Sequence, residues 1–399
     1  MTETSASTCD QPVRIAVIGA CGFIGRHIVQ SLGRDPAWHV RAVARAPQPT
    51  CVRKTAAAEW HIADARDCAA LVSALRAVDI VVHAVAGAPS TIRRTVLPVY
   101  RAAEQNRCRR IVYIGTAVVH GQSPPENTVE ETPLPAGQRL PYNRAKLWAE
   151  RKFFALARRG SVEVTVLRPG IVYGPGSRWI SETADALLAG RAGLVEGGGG
   201  FCNAIHVSNV VHAVRLAALA PSAAGEAFLL GEEPPITWRE FYCRIADPLG
   251  IDADSISVLA AEEPGLRIGD LVPSPLHWAS VRALRSLIPV QLWACAARIA
   301  AGANHSSPCD TSLRADLETT LLQRARHLPN WNKARELLGY RPVIGPSEAW
   351  RDTIEWLASA GYPVTTRPTS AAEDICGPGD SAPSLANPGN ASVKNHQTP

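Results

Sequence analysis

The stretch "VRIAVIGACGFIGRHIV", residues 13–29, joins a short β-branched strand to a helix-like pattern through three glycines. Gly19 ends the strand, and Gly22 and Gly25 follow at intervals of three residues. Glycine allows a tight turn, a close approach of the backbone to a pyrophosphate, and close packing of a helix on a strand. The amides at the helix N-terminus then face the anion. We therefore predict a dinucleotide-binding loop here, with a simple strand-to-helix turn as the alternative.

Short apolar runs recur along the first half of the chain, at residues 39–45, 79–87, 110–116 and 162–170. Their apolar residues do not alternate with polar ones, which is typical of strands that are buried on both faces of a sheet. Helical patterns lie between most of the runs, and strands that alternate with helices favour right-handed βαβ units. We predict an α/β fold in which the first half forms a doubly wound parallel sheet.

The composition indicates an ordinary globular protein. The 399 residues carry a net charge of +5, which is too small to indicate a nucleic-acid partner. The ten cysteines form no C-x-x-C pair and the histidines are not spaced as metal ligands, so we predict no metal site. The first residues lack the pattern of a signal peptide, and no run of about 18 apolar residues predicts a spanning helix. We expect a small-molecule substrate and a cytoplasmic location.

A second motif pairs a phenol with an ammonium group. In "RLPYNRAKLWAE", residues 139–150, Tyr142 and Lys146 lie four residues apart, so in a helix both face one site. A nearby ammonium and a nicotinamide cation both lower the pKa of a phenol, which can then exchange a proton with an alcohol or a carbonyl. Thr116, at the end of an earlier predicted strand, can hold the substrate oxygen. We predict that these three residues are catalytic; the alternative is an exposed helix and a strand threonine without chemistry.

Six segments, in order, resemble the extended branch of the short-chain dehydrogenase/reductase superfamily, the group that holds nucleotide-sugar epimerases and dehydratases. They are "GACGFIG", "YIGTAVVHG", "PYNRAKLWAE", "LRPGIVYGPG", "IHVSNVVHAV" and "WNKARELLGYRPVIGPSEAWRDTIEWL". The resemblance covers about residues 13–362. It implies a Rossmann domain with a tightly bound nicotinamide cofactor and a smaller, mostly helical C-terminal substrate domain, which late segments of the chain partly form.

The resemblance and the composition together divide the chain into four parts. We predict a disordered N-terminus at residues 1–12 and an NAD(P)-binding Rossmann domain at residues 13–175, to which residues 203–220 return. Residues 176–362 are the predicted substrate-binding region. Residues 363–399 are rich in Pro, Ser, Gly and Asn, which predicts a disordered tail.

The family pattern also implies which residues hold the cofactor. Arg45 ends the second strand, where a carboxylate would bind a ribose 2′-hydroxyl and an arginine suits a 2′-phosphate. Arg45 therefore favours NADP, although a solvated arginine and NAD are open alternatives. Asp64 falls where the family places an aspartate against the adenine amino group. The predicted cofactor-binding residues are Gly19, Gly22, Phe23, Ile24, Gly25, Arg45, Asp64, Ala84, Val85, Ala86, Tyr142, Lys146 and Pro169.

Three departures from the family pattern bear on the chemistry and the substrate. Thr116 replaces the family's serine and keeps its hydroxyl. The helix before the fifth strand, "STIRRTVLPVYRAAEQN", has no asparagine at the place where many members use one in a proton relay. Ile171 stands where nucleotide-sugar enzymes usually carry an asparagine that contacts the substrate diphosphate. Because isoleucine cannot donate to a phosphate, this argues against a nucleotide-sugar substrate, unless another residue supplies the contact.

Residues 272–302 look similar to the insertion of 3β-hydroxysteroid dehydrogenase-like and sterol dehydrogenase-like members, and Asn209 also resembles that subgroup. This apolar, tryptophan-bearing segment has three interpretations. It could wall off an alicyclic substrate, it could lie on a membrane surface and make the protein peripheral to a membrane, or it could pack as ordinary helices. The family often dimerises through two helices per subunit, so we expect a homodimer.

Three functions stay open from the sequence alone. The first is an NAD(P)-dependent oxidoreductase that moves hydride between nicotinamide and a secondary alcohol or ketone, with an apolar, cyclic, sterol-like substrate. The second is a nucleotide-sugar epimerase or dehydratase, in which the cofactor is oxidised and reduced within one turnover. The third is a protein that binds a dinucleotide without catalysis. We favour the first, because the pair of Tyr142 and Lys146 is intact and Ile171 opposes a diphosphate.

Overall fold

A seven-stranded parallel sheet organises the first part of the chain. The computed structural model describes residues 11–46, 58–135, 137–260 and 317–365. The strands are β1 (Val13–Ile18), β2 (Trp38–Ala44), β3 (Glu59–Ile62), β4 (Ile80–His83), β5 (Arg110–Ile114), β6 (Glu163–Pro169), β7 (Ile171–Tyr173), β8 (Gly193–Val195), β9 (Phe201–Cys202), β10 (Ala204–His206), β11 (Ala227–Leu230), β12 (Ile236–Thr237) and β13 (Ser257–Leu259). The large sheet has the order β3-β2-β1-β4-β5-β6-β11, which reverses direction between β1 and β4. The predicted fold class, a doubly wound parallel Rossmann sheet, is confirmed.

The apolar runs of the sequence identify the inner strands correctly and miss the two edge strands. The runs coincide with β1, β2, β4, β5 and β6. Edge strand β3 has the sequence EWHI, and its Ile62 is 74% exposed, so it carries no continuous apolar run. Edge strand β11 is only four residues long and pairs with β6 alone. The signal of β3 is weak because the strand is partly polar and exposed. The residues of β11, AFLL, are all apolar and buried, but a run of four is too short to distinguish a strand from part of a helix.

Helices cover both faces of this sheet. The described helices are α1 (Phe23–Leu32), α2 (Cys68–Ala74), α3 (Pro89–Gln105), α4 (Pro141–Ala157), α5 (Arg178–Leu188), α6 (Val207–Leu219), α7 (Trp238–Ala246), α8 (Leu317–Gln323), α9 (Asn332–Leu338) and α10 (Pro346–Ser359). Helices α1 and α6 pack on one face, and α2, α3 and α4 pack on the other. Alternate residues of β1 belong to the two apolar clusters, with Ile15 and Val17 in one and Ala16 and Ile18 in the other. This explains why β1 is apolar at every one of these positions.

A second apolar core lies in the later part of the chain. It gathers side chains of α5, α7, α8 and α10, and the ring of Tyr173 stacks on Trp350 with 4.8 Å between ring centroids. Three two-stranded sheets, β7 with β10, β9 with β12 and β8 with β13, accompany these helices. Helix α7 begins at a capping box in which Thr237 and Glu240 satisfy each other's backbone amides. The region is mostly helical, as the family resemblance implied.

Asn209, in the first turn of α6, connects the sheet to the C-terminal segment. Its side-chain oxygen accepts hydrogen bonds from the backbone amides of Val343 and Ile344 at 2.7 and 3.1 Å. Its amide nitrogen donates to a carboxylate oxygen of Glu232 at 2.5 Å. An aspartate at this position would face the Glu232 carboxylate, so the asparagine suits its neighbours. The exact domain boundaries at residues 175 and 362 stay a prediction.

Several sequence predictions fall on segments outside the described residues. They are the helices expected within 272–302, with their possible membrane contact, and nearly all of the predicted disordered ends, 1–12 and 363–399. In the portions of the chain that the structure describes, no helix has both the length and the apolar character needed to cross a membrane.

A buried ion pair fixes helix α4 to the sheet. Arg168 at the end of β6 contacts the Glu150 carboxylate through two nitrogens, at 2.5 and 3.1 Å, and both side chains are almost fully buried. Arg168 also donates to the backbone oxygen of Glu130 and lies 3.0 Å from Nε2 of His120. Burial lowers the pKa of His120 to about 4, and the charge of Arg168 lowers it too, so this imidazole stays neutral at pH 7.

We expect Glu150→Gln to lower the free energy of unfolding by about 3 kcal/mol, because the buried guanidinium of Arg168 then lacks a countercharge. The matched control is Glu233→Gln, whose carboxylate is 66% exposed and pairs with Arg335, which is itself 34% exposed. The control should cost less than about 1 kcal/mol. Urea unfolding followed by circular dichroism measures both values. An equal loss in the two variants would show that the Arg168 pair does not hold α4.

Candidate active site

The glycine loop lies at the point where the strand order of the sheet reverses. Gly19 follows β1 with φ +91°, and a Cβ there would lie 3.0 Å from the backbone carbonyl of Ala84, which follows β4. A side chain on Gly25 would collide with the backbone oxygen of Gly19. Both glycines are therefore required by close backbone contacts. Together with Gly22, which precedes the first residue of α1, they form a cradle that could hold a pyrophosphate at the helix N-terminus.

Helix α1 is tied to the loop that follows β7. Arg26 donates to the backbone oxygens of Pro175 and Gly176 at 3.2 and 2.9 Å, and His27 lies 2.8 Å from the same Pro175 oxygen. Burial lowers the pKa of His27 to about 4, so the imidazole is neutral at pH 7 and donates through Nε2. Phe23, in the first turn of α1, packs edge-on against His27. The position of the first turns of α1 is thus held both by the sheet and by contacts with Pro175 and Gly176 in the later part of the chain.

Arg45 and Asp64 lie near each other at the carboxyl ends of neighbouring strands, as parallel pairing of β2 with β3 requires. Arg45 is exposed, whereas Asp64 forms a bidentate pair with Arg66 at 2.6 Å. The hydrogen bonds from Arg66 lower the pKa of Asp64 to about 2, and the charge of Arg45 also lowers it. Two guanidinium groups therefore stand beside this carboxylate, which is ionised at neutral pH.

Tyr142 and Lys146 lie one turn apart on α4, as their spacing predicts. Pro141 begins the helix, where a missing backbone amide costs nothing, so Tyr142 lies in its first turn. The Lys146 ammonium is 6.0 Å from the centre of the Tyr142 ring. Only 3% of Lys146 is exposed, and its Nζ donates to the backbone oxygen of Ile114 at 2.8 Å. This bond fixes the lysine to the end of β5.

Thr116 lies in the segment that α4 contacts. It precedes a short 3-10 helix, Ala117–His120, and its hydroxyl accepts from the amide of Val118 at 3.4 Å. The side-chain amide of Asn143 donates to the backbone oxygen of Val118 at 3.2 Å. Contacts from α4 therefore flank Thr116 on both sides along the chain, one from Lys146 to Ile114 and one from Asn143 to Val118. The structure brings Thr116, Tyr142 and Lys146 into one region.

Burial dominates the protonation of both titratable groups on α4. It raises the pKa of Tyr142 to about 12, and the negative charge of Glu318 raises it further, while Arg178 lowers it. Burial lowers the pKa of Lys146 to about 8, against the charge of Glu150, which raises it. The protein alone therefore holds a neutral phenol beside an ammonium that is poised to lose its proton near neutral pH. The charges that act on the phenol here are those of Glu318 and Arg178, and the expectation that Lys146 and a nicotinamide cation lower its pKa stays a prediction.

A pocket opens beside the segment that carries Thr116. Its walls are mainly apolar and include Val118, Ile171, Phe201, Trp238, Leu322 and Leu328. Ile171 follows Gly170 and the predicted cofactor residue Pro169 at the end of β6, so the pocket reaches the carboxyl edge of the sheet. Three polar side chains, those of Gln122, Asn203 and His327, also line it. The arrangement suits a mostly apolar ligand with a few directed polar contacts.

The sequence analysis identified none of these three polar residues. Gln122 accepts a hydrogen bond from Asn143 at 3.1 Å, and its Nε2 is buried and has no partner in the described parts of the chain. Asn203 follows the glycine run, and its backbone oxygen accepts from the amide of Ile171 at 2.6 Å. In the sequence, the only indication that Gln122 lines the site was its position soon after Thr116. Nothing in the local pattern of Asn203 shows that it meets β7.

The remaining predicted cofactor residues are distributed around the loop. Ile24 packs against the apolar cluster beneath α1. Ala84 and Val85 continue β4 at the edge that Gly19 approaches, and Ala86 next to them is exposed. Their roles toward a cofactor stay a prediction, but their positions are those of a site at a topological switch point.

Comparison with known proteins agrees with this geometry. Residues 15–231, more than half of the chain, match the model of the NAD dependent epimerase/dehydratase family. The 3beta-hydroxysteroid-dehydrogenase/decarboxylase isoform 1 of Arabidopsis thaliana is 26% identical over an alignment 372 residues long that covers 85% of this chain and 78% of that protein. The UDP-glucose 4-epimerase of Vibrio cholerae is 24% identical over an alignment 253 residues long that covers 59% of this chain and 75% of that protein.

Solved structures share the fold. A UDP-glucose 4-epimerase from Thermotoga maritima superposes with a TM-score of 0.63 at 19% identity, over 87% of this chain and 99% of its own. A dTDP-glucose 4,6-dehydratase from Streptomyces venezuelae, solved with NAD, superposes with a TM-score of 0.63 at 21% identity. The superposition covers 87% of this chain and 97% of the dehydratase chain. At such identities the likeness establishes the fold alone.

We expect Gly25→Ala to weaken binding of reduced nicotinamide cofactor by about a hundredfold or more, because the new methyl group must displace the Gly19 carbonyl from the cradle. Gly199→Ala is the matched control, since its Cβ meets open space and its φ of −72° is ordinary. Titrations with NADH and NADPH, followed by nicotinamide fluorescence, measure both. Unchanged affinity in Gly25→Ala, with native circular dichroism, would contradict a role of this loop in binding.

Proposed function

This chain belongs to the NAD dependent epimerase/dehydratase family and is an NAD(P)-dependent enzyme, and we propose that it moves hydride between the cofactor and a secondary alcohol or ketone on an apolar, cyclic substrate. The observation that carries this proposal is the position of the apolar pocket directly beside the Thr116 segment, with Ile171 in its wall. When it is bound, nicotinamide supplies the hydride donor or acceptor at its C4 atom.

Tyr142 is the proposed acid–base residue. Its high pKa, about 12, keeps the phenol protonated, so it can donate a proton to a carbonyl oxygen during reduction. In the oxidative direction it must accept a proton, and positive charge near the ring is then required. The Lys146 ammonium, 6.0 Å away, supplies part of this charge, and its bond to the Ile114 oxygen keeps it in place.

Thr116 is the proposed orienting residue for the substrate oxygen. Its hydroxyl is buried, and its backbone neighbours are anchored to α4 through Lys146 and Asn143. A hydroxyl that donates to the substrate oxygen stabilises negative charge that develops there during hydride transfer. Anchoring matters because a shift of about 1 Å would misplace the substrate oxygen relative to the phenol.

The apolar pocket wall supports the substrate class. A nucleotide diphosphate carries two negative charges that need directed donors, and Ile171 offers none. A sugar nucleotide stays the alternative, because Asn203 lies next to Ile171 and could supply an amide donor. The steroid dehydrogenase/decarboxylase relative fits the first class, and the UDP-glucose 4-epimerase relative fits the second.

Arg45 is the proposed determinant of cofactor choice, with NADP favoured. It is exposed at the end of β2, near the pair of Asp64 and Arg66. A ribose 2′-phosphate placed here would meet the guanidinium groups of both arginines. NAD is the alternative, since several solved relatives hold NAD.

We expect Tyr142→Phe to reduce the rate of ketone reduction by about a hundredfold or more, while cofactor affinity stays near that of wild type, because only the proton donor is removed. Tyr100→Phe is the control, since it removes a buried phenol from α3, away from this region. A panel of sterol-like and other cyclic ketones is assayed by loss of the reduced-nicotinamide absorbance band.

The same assay separates the two substrate classes. An epimerase oxidises and reduces its cofactor within one turnover. Conversion of UDP-glucose without a net change in the reduced-nicotinamide absorbance would therefore contradict the proposed net oxidoreduction. Full activity of Tyr142→Phe on a cyclic ketone would instead show that Tyr142 is not the proton donor. The proposed substrate class would then still hold.

We expect Arg45→Asp to weaken NADPH binding by about tenfold or more and to leave NADH binding equal or tighter, because a carboxylate repels the 2′-phosphate and accepts from a 2′-hydroxyl. Arg34→Asp, an equal charge change at an exposed site just after α1, is the control. Fluorescence titration of each variant gives the affinities. If the affinities for NADPH and NADH change by the same factor, Arg45 does not contact the 2′ position of the ribose.

A further inference from the structure

Gln122 places a side-chain amide without an acceptor at the wall of the apolar pocket beside the Thr116 segment. It is 8% exposed, and it lines the pocket together with Val118, Ile171 and Trp238. Its Nε2 is buried, and no group in the described part of the chain accepts a hydrogen bond from it. Because a buried donor without an acceptor is unfavourable, this nitrogen is suited to an acceptor atom on a ligand.

Two backbone carbonyls fix the direction in which this amide faces. The Gln138 amide lies 2.6 Å from the backbone oxygen of Val119, which only accepts, so the other end of that amide, Oε1, faces Asn143. Asn143 lies 3.2 Å from the backbone oxygen of Val118, so its nitrogen is the atom that meets both glutamine oxygens. The Oε1 of Gln122 accepts from that nitrogen at 3.1 Å, which leaves Nε2 as the end outside this network.

The same network holds Gln122 in place before a ligand binds. Asn143 and Gln138 are both buried, and Asn143 directly follows the proposed acid–base residue Tyr142 in α4. The Gln122 amide is therefore fixed to the helix that carries the proposed proton donor. A donor that is already fixed loses little conformational freedom on binding, so it discriminates well between ligands with and without an acceptor.

Gln122 and Thr116 are positioned to meet different parts of a ligand. The 3-10 helix Ala117–His120 separates them, and four residues of such a helix advance about 8 Å. Gly121 then turns the chain with φ +97°, and Gln122 follows at the pocket wall. An oxygen that binds the Gln122 amide is therefore distinct from the reacting oxygen that Thr116 is proposed to hold.

The pocket favours a neutral oxygen at this position. An amide donates without carrying a charge, and neither lysine nor arginine lines the pocket within the described ranges. A carboxylate or phosphate that left water for this position would lack a strong countercharge, which is unfavourable. A hydroxyl or carbonyl oxygen loses less hydration, so a single amide donor is sufficient for it.

We propose that Gln122 is a specificity-determining residue that binds a second, neutral oxygen of the substrate, remote from the carbon that exchanges hydride. This rests on the proposed function, because it takes the apolar pocket as the site of a cyclic ketone or alcohol. A hydroxyl or carbonyl at the far end of the ring system satisfies Nε2, whereas a ring system without that oxygen leaves the donor unpaired. The substrate class is thus narrowed to cyclic ketones or alcohols that carry a second neutral oxygen.

The experiment compares two steroid ketones that differ in one oxygen. Androstanone has a single carbonyl, and androstanedione adds a carbonyl, which only accepts, at the far end of the ring system. Gln122→Met removes the donor at similar side-chain length, and Gln122→Glu removes it but keeps an oxygen toward Asn143. Gln138→Met is the control, since it interrupts the same network at a residue outside the pocket wall.

Two measurements are made on each protein, after titration with NADPH has shown that it is folded. Chromatography of the products gives kcat/KM for reduction of the carbonyl that both ketones share. Quenching of tryptophan fluorescence, to which Trp238 in the pocket wall contributes, gives the affinity for each ketone whether or not it reacts. The ratio of the values for the two ketones is the preference.

We expect wild type to prefer androstanedione by about tenfold or more and Gln122→Met to lose this preference, because the second oxygen no longer meets a donor. Gln138→Met should keep the preference. In Gln122→Glu the preference should return as the pH falls, because a protonated carboxyl donates and a carboxylate does not. A purely structural role of Gln122 would not produce this pH dependence.

The two measurements distinguish failure of this proposal from failure of the proposed function. If both ketones are reduced but wild type and Gln122→Met have the same preference, the role of Gln122 is overturned and the proposed function still holds. If wild type reduces neither ketone, the proposed function fails for this class, and the affinities then decide. A preference in binding that Gln122→Met alone loses supports the role of Gln122. Equal affinities, no binding, or an equal loss in Gln138→Met overturns it.

Discussion

The missing side chains of Gly19 and Gly25 allow helix α1 to begin in direct backbone contact with the end of β1. A methyl group on Gly25 would occupy the space of the Gly19 carbonyl oxygen, and one on Gly19 would press on Ala84. The close approach sets the N-terminus of α1 over the crevice where the strand order reverses. The ends of β1, β4, β5 and β6 all reach this edge of the sheet, so the cofactor loop, the Thr116 segment and the pocket share one side of the molecule.

Helix α4 connects the chemistry to the sheet. Its inner side makes three different contacts with the sheet side of the molecule, through Asn143 to the Val118 oxygen, Lys146 to the Ile114 oxygen and Glu150 to Arg168. Each contact satisfies a polar group that is removed from water, so the helix has one favourable position. Because Tyr142 and Lys146 belong to that same helix, the ion pair with Arg168 also positions them. The outer side is free of these demands and carries exposed basic residues, among them Arg144, Arg151 and Arg158.

Desolvation sets the charge state of the candidate site. The same burial raises the pKa of Tyr142 to about 12 and lowers that of Lys146 to about 8, so it separates two pKa values that are nearly equal in water. The separation keeps the phenol protonated at neutral pH, which suits the proposed role of Tyr142 as a proton donor to a carbonyl oxygen. The neutral histidines His27 and His120 nearby add hydrogen bonds to the scaffold without adding charge.

The sequence by itself determined the sheet, the glycine loop and the pairing of Tyr142 with Lys146, because each is encoded by neighbours along the chain. Apolar runs reveal buried strands, glycines reveal a tight turn, and a spacing of four reveals one helix face. Only the tertiary structure decided which residues meet across the fold. Gln122 and Asn203 reach the Ile171 pocket, and Glu150 reaches Arg168, through contacts between segments that are distant in sequence. Such contacts depend on how layers pack, and local patterns carry no record of the side chains that a packed layer brings together.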